Sequence, residues 1–81
     1  MPGLRRLYAP QRVAVGTDPR GAPTTIEGVL VETIREEWLV EDRWWTPKPL
    51  RRHYFEVALG DGRALTVFRV ARAQRWYRQR A

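Results

Sequence analysis

The sequence predicts a small, mainly β domain: an antiparallel meander of about five strands, curled or closed into a small barrel so that its edges are covered. Two observations carry this. Residues 51–70 alternate with period two on either side of Gly60-Asp61-Gly62, which is the pattern of a hairpin around a glycine turn. Thr24, Thr25, Ile26, Val29, Val31, Thr33 and Ile34 fill the one window with helix-like spacing with β-branched side chains, which lose rotamer freedom in a helix. The chain has 81 residues, room for one core and one domain near the lower limit for stability without disulfides or metal. With four Trp, three Tyr and two Phe, aromatic surface must supply much of the burial.

Residues 1–10, MPGLRRLYAP, are basic and end in Pro10; they are expected to form a flexible arm, with residues 11–81 as the single domain. Arg12-Val13-Ala14-Val15 reads as a short strand. Gly16 to Pro23 then collects turn residues. In Thr24 to Val40 the apolar residues Ile26, Leu30, Ile34 and Trp38 recur every four positions, as a helix stripe would, but the β-branched content and Gly28 favour one or two strands bent at Gly28. Any helix is expected within residues 30–40. Pro47 and Pro49 keep Glu41–Leu50 from being an interior strand. Trp44 and Trp45, adjacent in an extended connection, would point to opposite sides, one inward and one outward.

From Arg51 to Leu59, His53, Phe55, Val57 and Leu59 share one face and Arg52, Tyr54, Glu56 and Ala58 the other. After the turn, Leu65 and Val67 return to the core face while Thr66, Phe68 and Val70 line the opposite one. Arg75-Trp76-Tyr77-Arg78-Gln79 reads as a last strand, with Trp76 and Arg78 facing one way and Arg75, Tyr77 and Gln79 the other. Trp38, Phe55 and Trp76 are expected in the core.

The net charge of +6 is unevenly spread. Residues 21–48 carry Glu27, Glu32, Glu36, Glu37, Glu41 and Asp42 against Arg35, Arg43 and Lys48, whereas residues 49–81 carry eight arginines against Glu56 and Asp61. That asymmetry points to a polyanion or an acidic protein as partner, or to opposite charges paired across strands. Fourteen of the fifteen cations are arginine, which suits planar stacking and bidentate phosphate or carboxylate contacts. The chain lacks Cys and Asn and has one Met, the bias of heat-adapted proteins. The lack of cysteine also removes disulfides and sulfur-based metal sites and is compatible with a reducing compartment. With no apolar run of signal-peptide or membrane-spanning length, a cytoplasmic location is the expectation.

The succession of Trp38, Trp44-Trp45, Arg52, Tyr54, Val57 and Leu59 before a Gly-rich turn, then Leu65, Val67 and Arg69, then Arg75-Trp76-Tyr77, resembles a small bacterial domain-of-unknown-function family. That family is similar to the C-terminal module of the catalytically inactive Y-family DNA-polymerase-like protein of the mutasome. The resemblance spans about residues 24–79 and rests on spaced aromatics. Family members usually carry an acidic residue and a glycine in the final hairpin, where this chain has Val70 and Gln74. The resemblance implies association with DNA repair or translesion synthesis and implies no catalytic residue.

The residues themselves offer little for catalysis. There is no Ser or Cys, one Lys (Lys48) and one His (His53), so an activated nucleophile beside a base has few candidates. His53, on the inward face beside Phe55, reads as a satisfied structural imidazole. Glu36, Glu37, Glu41 and Asp42 lack calcium-loop spacing and read as a solvated acidic stretch; no metal or cofactor is expected. Two binding surfaces remain. Glu36, Glu37, Glu41, Asp42, Trp44 and Trp45 form an acidic and aromatic segment suited to protein contact, the leading reading being a non-enzymatic accessory module with a repair or polymerase-like protein as partner. Arg51, Arg52, Tyr54, Arg69, Arg75, Tyr77 and Arg78 suggest the alternative, a cationic face with stacking rings for single-stranded nucleic acid.

Overall fold

The structure, a computed structural model, describes residues 10–42, 50–71 and 75–79. The described chain is all β, with strands β1 (Gln11–Val13), β2 (Val15–Thr17), β3 (Pro23–Ile26), β4 (Val29–Asp42), β5 (Leu50–Leu59), β6 (Ala64–Val70) and β7 (Arg75–Arg78). Seven strands lie among the described residues, where about five were expected. The basic arm, apart from Pro10, and the Trp44-Trp45 pair with Pro47 and Pro49 lie outside the described residues.

Every neighbouring pair is antiparallel, in the order β1-β7-β6-β5-β4-β3-β2. The two ends of that order, β1 and β2, are consecutive in the chain with only Ala14 between them. One segment bent at Ala14 therefore serves both edges and curls the sheet into a nearly closed barrel, which removes most of the edge. Glu27 N–H donates to Ala14 C=O at 2.8 Å and ties this bend to the β3–β4 turn.

No helix forms within residues 30–40, which belong to β4, and among the described residues no helix is long and apolar enough to cross a membrane. The bend at Gly28 is a two-residue hairpin in which Glu27 (φ 50°) and Gly28 (φ 80°) both take left-handed backbone, the type I′ geometry that matches strand twist. At the β5–β6 end, Gly62 (φ 93°) follows a turn closed by Gly62 N–H to Leu59 C=O at 3.0 Å.

The interior is filled by Ile26, Phe55, Val57, Leu59, Val67 and Trp76, with Val13, Val15, Val29, Val31, Ile34 and Leu65 packed around them. Phe55 and Trp76 are core as expected, and the ring centroids lie 5.5 Å apart. Trp38 is not: it is 39% exposed on the outer face. The reason is in the register. Ile34 faces Val57 and Val31 faces Leu59, both inward, but β4 is irregular between Val31 and Thr33 and again between Ile34 and Glu36. Each bulge inserts one unpaired residue and reverses the alternation, so Trp38 lands opposite Tyr54, outside, rather than inside with Ile34. The four-residue spacing of Ile26, Leu30, Ile34 and Trp38 is thus no stripe at all; Leu30 is 68% exposed.

Candidate functional site

Three features of the described surface have the composition of a site, and all are consequences of strand register. The first is a row of side chains across the outer face. Trp38, Tyr54, Phe68, Tyr77 and Arg12 stand directly opposite one another on β4, β5, β6, β7 and β1. Trp38 stacks on Tyr54 with centroids 5.2 Å apart and planes 6° from parallel, Tyr54 meets Phe68 at 4.9 Å, and Phe68 stacks on Tyr77 at 5.4 Å. In the adjoining row Val40, Arg52, Val70 and Arg75 are aligned, and the Arg52 guanidinium lies 5.3 Å from the Phe68 ring centroid. On the other side, Glu36 faces Glu56 across β4 and β5, two like charges directly opposed.

The second feature is β4 itself. It pairs with β5 from Val31 to Asp42, but with β3 only at Val29 and Leu30. From Glu32 onward, its second edge has no partner strand among the described residues. Trp38 on one face and Leu39 on the other are 39% and 64% exposed, so this half of the strand offers apolar contact on both sides of its free edge. It also carries Glu32, Glu36, Glu37, Glu41 and Asp42 against Arg35. Two of the acids are engaged: Glu41 accepts from Arg51 Nε at 2.6 Å, and Glu37 Oε2 lies 2.7 Å from His53 Nε2.

The third is a cavity of about 380 Å³ where β4 parts from β3 and the barrel mouth opens. Ile34 and Phe55 supply apolar wall, Arg20, Arg69, Asp18 and Glu37 supply charge, and His53 adds a polar ring. His53 is both paired with Glu37 and stacked on Phe55 at 4.3 Å, a satisfied imidazole as the sequence suggests. The loop over the mouth is held by Asp18, whose Oδ1 accepts from the N–H groups of Arg20 at 2.8 Å and Ala22 at 2.9 Å.

The seven residues suggested for nucleic acid do not form one surface. Arg52, Tyr54, Arg75 and Tyr77 share the outer face, whereas Arg51, Arg69 and Arg78 have the parity of the core face. Tyr54 is buried within the row, Tyr77 is half-buried, and Arg51 is taken by Glu41. Of the six residues suggested for protein contact, Glu36, Glu37 and Glu41 are exposed along β4, Asp42 ends that strand, and Trp44 and Trp45 lie outside the described residues. Among the described residues no three His, Cys, Asp or Glu side chains come together in a way that could hold a metal ion.

Sequence reasoning missed Arg12, Arg20 and Leu39 as surface or site residues, and Phe68 as the buried ring in the middle of the outer row. Phe68 was within reach, because a turn centred on Asp61 sets Tyr54 opposite Phe68. Arg12 was not, because the β1–β7 pairing is long-range and nothing local specifies it. Compared with known proteins, the chain matches no family model, no curated protein and no solved structure.

Proposed function

We propose that this protein is a non-enzymatic interaction module that binds an extended, basic segment of a partner protein by strand addition to the free edge of β4. The observation that carries this is the length of β4, Glu32 to Asp42, without a second partner strand among the described residues, with Trp38 and Leu39 exposed on its two faces. Strand addition uses backbone hydrogen bonds for affinity and alternate side-chain contacts for selectivity. Folds usually blunt such an edge with bulges and charge. Here the bulges end at Glu36, leaving Glu36–Asp42 in regular register with β5. The charge along the strand is acidic, which opposes pairing of β4 with a second β4 and favours a segment bearing arginine or lysine. The opposed Glu36 and Glu56 add a local demand for a cation on the outer face. Accessory work in DNA repair or translesion synthesis is the setting we assign; its support is what the resemblance described above implies.

The test is a nuclear magnetic resonance titration with a synthetic peptide of alternating arginine and valine. The expected result is saturable binding that slows amide exchange in residues 32–42 and weakens about tenfold in Leu39→Lys and in Glu36→Lys, with circular dichroism unchanged. Labelled single-stranded DNA is titrated in parallel. Protection confined to Arg12, Arg75 and Tyr77, with DNA binding lost in Tyr77→Ala, would overturn the proposal in favour of a nucleic-acid face.

A further inference from the structure

We infer that the cavity at the barrel mouth is a binding site for a small oxyanion with a flat apolar body, held by Arg69. The first step is a charge balance around the cavity. Its cations are Arg20 and Arg69, and its carboxylates are Asp18 and Glu37. The carboxylates balance the arginines in number but make their hydrogen bonds to other groups, Asp18 Oδ1 to the backbone N–H groups of its own turn and Glu37 Oε2 to His53. The arginine–carboxylate pairs among the described residues are Arg51–Glu41 and Arg63–Asp61, so neither arginine of the cavity has a carboxylate partner there.

Arg69 is the more telling of the two. Its side chain is half-buried, its Nε is buried without a hydrogen-bond partner, and one terminal nitrogen lies against Gly21, 3.5 Å from where a Cβ on that glycine would stand. A half-buried guanidinium whose Nε has no acceptor among the described residues is a costly arrangement, because a buried donor left unpaired loses its hydration without return. The fold places it there twice over: Arg69 is opposite Trp76 on β7 and opposite His53 on β5, and the Asp18 turn sets Arg20 and Gly21 over the opening.

A guanidinium matches carboxylate and phosphate through paired, parallel N–H···O contacts. The cavity volume falls in the ordinary range for small-molecule sites, and Ile34 and Phe55 provide apolar wall beside the charge. The ligand class is therefore a compact oxyanion carrying an aromatic or other flat apolar group. The site shares Ile34 and Glu37 with the β4 edge, but the side chains that test it, Arg69 and Arg20, lie outside β4, and those that test the edge, Glu36 and Leu39, do not line the cavity.

The experiment observes the arginine Nε–Hε resonances of the full chain during titration with sodium benzoate, sodium acetate and inorganic phosphate at constant ionic strength. Expected is a saturable shift at Arg69, with benzoate binding at least about fivefold more tightly than acetate, since its ring adds apolar burial to the shared carboxylate. Phosphate binding as tightly as benzoate would move the assignment to an oxyanion without an apolar body and overturn the class proposed. Arg69→Met, which keeps an apolar stem, should abolish the saturable shift, and Arg20→Gln should weaken it while Arg63→Gln leaves it unchanged. Thermal unfolding of each variant controls for the fold; if Arg69→Met unfolds, the Arg20→Gln and Arg63→Gln comparison decides. Shifts that grow linearly and equally at all arginines, or benzoate binding unchanged in the variants of the cavity, would refute the site.

Discussion

Glu27 holds a left-handed backbone, φ 50°, at the first position of the β3–β4 turn. A side chain with a Cβ is crowded there, and Asn or Gly is the usual occupant ahead of a glycine. Glu27→Asn is expected to stabilise the fold by roughly 1 kcal/mol, raising Tm by about 4–8 °C in a domain of this size. Calorimetry that finds Tm unchanged or lower would show that the turn stores no such strain. Asp61 makes a second local prediction. Its carboxyl is held below the ordinary aspartate range, first by the backbone N–H of Arg63, which outweighs an opposing desolvation, and then by the Arg63 side chain at 2.9 Å. A folded-state value below the unfolded one means that the unfolded chain takes up the proton first as pH falls. The contribution to stability is then complete above the ordinary aspartate value of about 4 and disappears as pH falls through the lowered folded value. Asp61→Asn should flatten the acid side of the stability profile; an unchanged slope in denaturant titrations at successive pH values would contradict it.

At the scale of elements, the outer row shows how cross-strand register turns scattered aromatics into one unit. Trp38 and Tyr54 are 16 residues apart in sequence, yet their rings stack nearly parallel with centroids 5.2 Å apart. A double-mutant cycle, Trp38→Ala with Tyr54→Ala, should give a coupling of about 0.5–1.5 kcal/mol. Additive losses would mean that the rings share a surface without interacting. The faces of β5, β6 and β7 were legible in the sequence because each is a clean period-two run next to a turn of recognisable chemistry, so His53, Phe55 and Val57, or Trp76 and Tyr77, fell on the faces where they stand. β4 was harder. Its two bulges carry no glycine or other marker within the irregular stretch, and each reverses inside and outside, so Trp38 could not be placed by counting from Ile34.

For the whole molecule, the decisive event is the return of β1 and β2 to opposite ends of the same sheet. That closure gives the core its interior, leaves the second half of β4 without a partner strand among the described residues, and opens the mouth where Arg69 and His53 meet the Asp18 turn. The sequence by itself determined the β class, the β5–β6 hairpin, the positions of Phe55 and Trp76 and the separation of acidic from basic segments, because these depend on neighbours along the chain: alternation, turn residues and composition. Tertiary structure alone decided the barrel closure, the exposure of Trp38 and the burial of Tyr54. Those follow from pairings between strands far apart in sequence, and a shift of one residue in any of them exchanges core for surface.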